Sequence, residues 1–335
     1  MSFSITRRTL LKYTIGTLAL ASTFSTQRVQ GNLLSQLFGK AGKETPRITP
    51  NEDFYVTTYD ITPEISVDSW ALHIRGLVSK PVTLTYEDLL KKPQTSLIAT
   101  LECIGNPVGG YSIGTAQWEG IGVQELLEEA GVESNAIDLV LHGADEYSDS
   151  VPISRAMQKE VIVATKMNGV PLPPEHGFPA RIIVPGIVGM KHVKWLTSLE
   201  PVSYDYKGYW QQQSWPDDAP NVLSSRIDLP GDRETISTPT YRIKGMAFGG
   251  LDPIHRVEIS TDGGTQWRLT TLEPPPSPYS WTPWFFDWAI PQKGEFILAA
   301  RAIGRSGRAQ ATQFGGRAPQ GTVDLHGISV EVTSS

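Results

Sequence analysis

The sequence predicts an α+β protein of two domains, a mixed α/β domain followed by an immunoglobulin-like β-sandwich. Three observations carry this. Its 335 residues include 25 prolines and 31 glycines while helix-like stretches are few and short, so strands and turns build the chain. A Pro/Asp/Ser-rich stretch from Trp210 to about Thr238 breaks the hydrophobic patterning and places a connector at 216–238. Beyond it, short strands separated by turn signals recur as they do in a sandwich.

The N-terminus reads as an address. Thr6-Arg7-Arg8-Thr9-Leu10-Leu11-Lys12 precedes a short apolar run and the small-residue pattern Ala19-Leu20-Ala21, which resembles a twin-arginine export signal over 1–21. An ordinary secretory signal is the other reading. The run Tyr13–Leu18 is far below the ~20 residues of a membrane span, so a membrane tether is expected only if cleavage fails. Residues 22–47 show little periodicity and are expected to form a flexible leader, with the first folded domain at 48–215 and the sandwich at 239–335. Cleavage after Ala21 removes three of the 29 basic residues and none of the 35 acidic ones, taking the net charge from -6 to -9. That balance excludes nucleic acid as a partner. Export places the protein in the periplasm or an equivalent extracytoplasmic space.

Asp53–Asp60 (DFYVTTYD) and Trp70–Val78 alternate like half-buried strands. Thr85 with Asp88 reads as a capping box opening a short helix that Pro93 ends. Thr95–Leu101 reads as a buried strand, Val123–Ala130 as an amphipathic helix closed by Gly131, and Ala136–Leu141 and Val161–Met167 as strands.

Cys103 is the one cysteine of the chain, and it stands where Thr95–Leu101 runs into Gly105-Asn106-Pro107 and Gly109-Gly110. An exported protein with an unpaired thiol either buries it as a small apolar group or uses it as a ligand or nucleophile. Both readings stand on the residues alone. A glycine-rich turn with free N–H groups is expected to lower the thiol pKa. Gly110-Tyr111-Ser112-Ile113-Gly114 also matches a hydrolase nucleophile elbow at Ser112, but that motif needs a following helix, and Thr115-Ala116-Gln117-Trp118 does not read as one. A second block, Glu175–Leu196, sets His176, Arg181, Lys191, His192 and Lys194 among glycines and prolines. It suits a polyanionic cofactor group as well as it suits a solvated basic loop.

From about Ile48 onward the chain resembles the sulfite oxidase family of molybdopterin-dependent oxidoreductases. Cys103 in C-x-G-N matches the family's metal-ligand cysteine, and Trp118 and Gly120 follow its pattern. Asp145 in G-A-D, His176 and Arg181 in H-G-F-P-A-R, and Lys194 in V-K-W-L fall where the family contacts its pterin and phosphate. Asp205-Tyr206-Lys207-Gly208 resembles the stretch carrying the family's active-site tyrosine, although its spacing from Lys194 is shorter. The resemblance implies a molybdopterin-binding domain of the sulfite oxidase type and one molybdenum per chain. It also implies oxygen-atom transfer on a small molecule with Cys103 and Tyr206 at the reacting centre, and a sandwich that supports a homodimer. With no haem or flavin motif, electrons are expected to pass through a separate cytochrome or quinone-linked partner.

Two departures bear on substrate. Pro107 and Val108 stand where the family follows its cysteine with oxyanion-binding arginines, and Thr57 and Tyr59 replace the arginine and histidine of an R-N-H element. A sulfite dianion would be desolvated there without compensation. The expectation is a neutral or less charged substrate, or an oxidised sulfur or nitrogen compound to be reduced. The alternatives are a cofactor-free binding protein that uses the sandwich, or a hydrolase at Ser112.

In the second domain the expected strands are Tyr241–Phe248, Ile254–Ser260, Gln266–Leu272, Ser280–Trp288 and Glu295–Ile303, with a hairpin at Asp262-Gly263-Gly264. Trp281, Trp284 and Trp288 read as core or interface packing.

Overall fold

A computed structural model of the chain describes residues 42–311 and 324–333; the expected export signal and the expected leader through residue 41 lie outside them. The first domain holds two sheets. One orders Val82–Thr85, Ala71–Ile74, Leu196–Val202, Asp138–Gly143 and Ser148–Pro152, with a parallel pairing only between Ala71–Ile74 and Leu196–Val202. The other runs Thr95–Glu102, Ile113–Gly122 and Ile162–Met167, and the last of these also pairs with Val170–Pro171 and Arg181–Ile183. Leu72, Leu139, Val163 and Ile182 from these sheets meet Leu126 and Leu127 of the helix Val123–Ala130 in one core. Apolar burial at ~25 cal/mol per Å² holds that core together.

Local signals decide the helix ends. Thr85 and Asp88 form the expected capping box at the helix Tyr86–Lys91. Gly131 closes Val123–Ala130 with φ 67°, a left-handed position that a side chain rarely adopts.

The second domain is a two-sheet sandwich. Ser224–Leu229, Thr240–Phe248, Thr282–Ala289 and Thr271–Leu272 form one sheet; Thr235–Ile236, His326–Val332, Gly294–Gly304, Ile254–Ser260 and Arg268–Leu269 form the other. Ile243, Trp284 and Trp288 from the first pack on Val257, Leu298 and Val330 from the second. The hairpin glycines Gly263 and Gly264 take φ 70° and 94°.

Three expectations are corrected. The predicted connector 216–238 contains the first sandwich strand, Ser224–Leu229. Its alternation is disguised because Arg226 and Asp228 are buried polar residues inside a strand, paired with each other at 2.7 Å. Asp53–Asp60 is not a strand: a 3-10 turn at Asn51–Asp53 gives way to irregular chain. Its periodicity comes from Phe54, 4% exposed, which enters the core edge-on against Trp118. Finally, the end of the expected leader is fastened. Glu44 pairs with Lys244 at 2.8 Å, and Arg47 bonds to Glu273 and to the Pro274 carbonyl.

The domains meet behind the Cys103 turn. Arg226 donates to the Gly110 carbonyl at 2.5 Å and stacks over Tyr111 at 4.2 Å. The Thr100 N–H donates to the Tyr279 carbonyl, the Trp281 N–H donates to Thr100 Oγ1, and Ile113 packs with Met246, Phe248 and Trp281. His326 closes the contact. Its Nδ1 accepts the Ile227 N–H at 2.9 Å and its ring lies against Gly109, where a Cβ would come within 2.3 Å.

Burial lowers the pKa of His326 to about 4. The unfolded imidazole titrates near 6.5, so between these values the folded chain binds fewer protons, and stability present above pH 6.5 is lost as pH falls towards 4. We expect urea unfolding at pH 4.5 and 7.5 to differ less in His326→Asn, which keeps an acceptor for Ile227, by about 2 kcal/mol. An unchanged difference would mean that His326 is not the source.

Candidate active site

Cys103 lies one residue beyond the strand Thr95–Glu102. The turn is held from within: its N–H donates to the Ser112 carbonyl, and its carbonyl accepts the Asn106 N–H, each at 2.9 Å. Asn106 then donates to Glu102 Oε1 and accepts the Ser112 N–H, again at 2.9 Å. These bonds leave the thiol facing a cleft of about 220 Å³, which it lines together with Tyr55, Thr57, Ile104, Arg181 and Lys194.

The expectation of a lowered thiol pKa is overturned. Burial raises it, and Glu102 adds to the rise; hydrogen bonds from the Gly105 N–H and the Thr57 hydroxyl oppose them and lose. Cys103 on its own is therefore a thiol at neutral pH, and a cation is needed to hold it as thiolate. Glu102, buried behind the turn, is itself pushed up to about 7 by desolvation.

The second block reaches the same cleft. His176, Arg181, His192 and Lys194 line it, as does Asp145 from the loop after Asp138–Gly143. Arg181 donates to the carbonyls of His176 at 2.9 Å and His192 at 3.2 Å, and lies over Trp118 at 5.2 Å. Its buried Nε finds no partner among the described residues. Lys194 donates to the Glu175 carbonyl at 2.9 Å, yet burial and the nearby Arg181 lower its pKa to about 7. His176 bonds through Nε2 to the Asn51 carbonyl at 3.0 Å, and burial takes it to about 4. His192 is spent on structure: Nδ1 accepts the Val184 N–H and Nε2 donates to the Ile187 carbonyl.

Several sequence assignments go elsewhere. The Tyr206 hydroxyl bonds to Ser148 Oγ at 2.7 Å, and Tyr206 is not among the residues lining the cleft. The phenol beside Cys103 is that of Tyr55, a residue the sequence reading passed over inside an apparent strand; its hydroxyl lies over Gly189, and burial and Cys103 raise its pKa. Pro107 and Val108 line a separate crevice with Arg226 and Met246 of the second domain, so the chemistry at those two positions does not face the cleft. Thr57 and Tyr59 do. Ser112 is 8% exposed and leads into the strand Ile113–Gly122 rather than a helix, which removes the geometry of a nucleophile elbow. Lys191 is 1% exposed and pairs at 2.8 Å with both Asp149 and Asp217, so it is not free to meet an anion.

Two family models match this architecture. The oxidoreductase molybdopterin binding domain covers residues 59–210, and the Mo-co oxidoreductase dimerisation domain covers 221–314. The mitochondrial sulfite oxidase of Homo sapiens is 33% identical over 304 residues, or 76% of this chain and 56% of that protein. The chain belongs to the sulfite oxidase family. It spans a little over half the length of this sulfite oxidase and of that of Macaca fascicularis. An inducible NADH nitrate reductase of Glycine max is 29% identical over 76% of this chain and 36% of its own length. Among solved structures, the sulfane dehydrogenase SoxCD from Paracoccus pantotrophus superposes with TM-score 0.77 at 27% identity, covering 86% of this chain and 82% of that one.

The family's cofactor is a molybdopterin, and the residues present fit one. Among the described residues no three His, Cys, Asp or Glu side chains cluster to hold a metal. Arg181 has an orphaned Nε and Lys194 a destabilised charge; an anionic cofactor group satisfies both. Asp145 and His176 stand beside them in the cleft.

Removing the Lys191 charge strands the Asp149 carboxylate, which is 0% exposed. Lys191→Met should cost about 3–5 kcal/mol in denaturant unfolding, and adding Asp149→Asn should recover most of it. Equal loss in the single and double variants would show that packing, not charge, is at stake.

Proposed function

We infer that the protein is an exported molybdopterin-dependent oxidoreductase that transfers an oxygen atom to or from a neutral sulfur or nitrogen compound, with sulfite excluded. The observation that supports this is the surroundings of Cys103. The groups acting on its sulfur are the Gly105 N–H, the Thr57 hydroxyl and the carboxyl of Glu102, with no cation among them. A dianion brought there would be desolvated beside a second acid, at several kcal/mol.

When bound, the molybdenum group supplies the two-electron change of oxygen-atom transfer, and soft sulfur ligands suit it. The chain's own residues do the rest. Cys103 ligates the metal as thiolate; Arg181 and Lys194 hold the anionic part of the cofactor; Asp145 and His176 fix its pterin. Tyr55, whose pKa burial raises, keeps its proton and serves as a hydrogen-bond donor beside the reacting centre. Reduction of an oxide takes up two electrons and two protons and releases water, and oxidation runs the same sum in reverse. The electrons are exchanged with a separate cytochrome or quinone-linked carrier, one molybdenum serves each chain, and the second domain supports a homodimer. Residues 1–21 direct export by the twin-arginine route, which carries folded, cofactor-loaded protein to the periplasm.

Elemental analysis of protein from a molybdopterin-producing host tests this. Near one molybdenum per chain is expected, with redox activity lost in Cys103→Ser. A metal-loaded Cys103→Ser of full activity, or a folded wild type without molybdenum, would overturn it.

A further inference from the structure

Two unlike groups of side chains line the cleft. One is charged: Lys194 interacts with Arg181, Asp145 and Glu175. The other is aromatic. Tyr147, Tyr59, Tyr209, Trp210 and Trp215 make a continuous arc, with successive ring centroids 5.8, 4.8, 5.0 and 4.5 Å apart. All but Tyr209 line the cleft.

One end of the arc reaches the reacting centre. Trp215 packs with Met190 on the cluster containing Ile104, the residue next to Cys103. Tyr59, which joins buried Tyr147 to the rest of the arc, is 41% exposed, a large ring open to solvent. No cation stacks on any of these rings: the cation–ring contacts among the described residues involve Trp118, Trp195, Tyr111, Phe285 and Trp267. A wall of this kind offers faces and edges for ring pairing and little for a small oxyanion. It is therefore matched to a ligand that carries an apolar group, and a bare inorganic oxide would leave it unused.

We propose that this arc is the specificity wall of the site, selecting a neutral organic oxide with an S–O or N–O bond and an aryl or similarly bulky apolar substituent. The oxide end lies towards Cys103, and the substituent packs on Trp215 and Trp210 with Tyr59 closing over it. The assignment rests on the cleft being the substrate site, as in the function proposed above, and is independent of the direction of electron flow.

Equilibrium dialysis of the holoprotein with methyl phenyl sulfoxide and with dimethyl sulfoxide tests the wall without turnover. The aryl compound should bind at least about 10-fold more tightly, the discrimination that an apolar pocket achieves for a modest change in ligand size. Trp215→Ala should abolish most of that ratio, Trp215→Phe should keep most of it, and Tyr59→Ala, at an exposed position, should reduce it even if Trp215→Ala fails to fold. A ratio near one in the wild type, or an unchanged ratio in Trp215→Ala and Tyr59→Ala, would overturn the proposal. Selective binding without turnover of any oxide would uphold the wall and count against the proposed reaction, whereas molybdenum and activity with no selectivity would do the opposite.

Discussion

The turn from Glu102 to Gly110 must satisfy two domains at once, and the rest of the structure depends on it. On one side it presents the Cys103 thiol to the cleft. On the other it takes the Arg226 guanidinium on the Gly110 carbonyl, the His326 ring against Gly109, and a long Asn221 contact of 3.4 Å to Glu102. Buried polar contacts of this kind add little net stability when complete and are costly when broken. Their value here is geometric: a thiol on a loop becomes as fixed as one on a strand. The sandwich is thus the back wall of the active site as well as a second domain.

The cleft is built with its charge unfinished. Arg181 and Lys194 are both driven towards their neutral forms by burial. A protein that only needed to fold would pair or remove such groups, as this one does a few residues away by seating Lys191 between Asp149 and Asp217. The contrast separates cations that serve the fold from cations that await an anion. It also explains why the thiol stays protonated alone. Cys103 shares its surroundings with Glu102 rather than with those cations, so thiolate formation is left to the metal.

In the function proposed above, charge and aromatic surface divide the cleft between cofactor and substrate. The charged residues have the donors that a phosphate or pterin needs, and the rings have area without charge. Thr57 and Tyr59 line the same cleft. In the function proposed above, rings without a stacked cation favour an organic substrate over an inorganic anion.

The sequence by itself determined the fold class, because alternation, a capping box and a glycine after a helix are short-range patterns, and it put forward Cys103, Asp145, His176, Arg181 and Lys194, which the structure brings to one cleft. It went astray where burial comes from distant partners. Ser224–Leu229 hid as a connector because Arg226 and Asp228 are polar residues buried by the other domain. Asp53–Asp60 posed as a strand because Phe54 is buried by Trp118 and His176, without any ladder. Tertiary structure alone decided that Tyr55 rather than Tyr206 faces the thiol and that Pro107 and Val108 face away from it. It alone assembled five rings, drawn from residues 59 to 215, into one wall. The direction of a side chain at a turn is set by what packs behind it, and no local pattern records that.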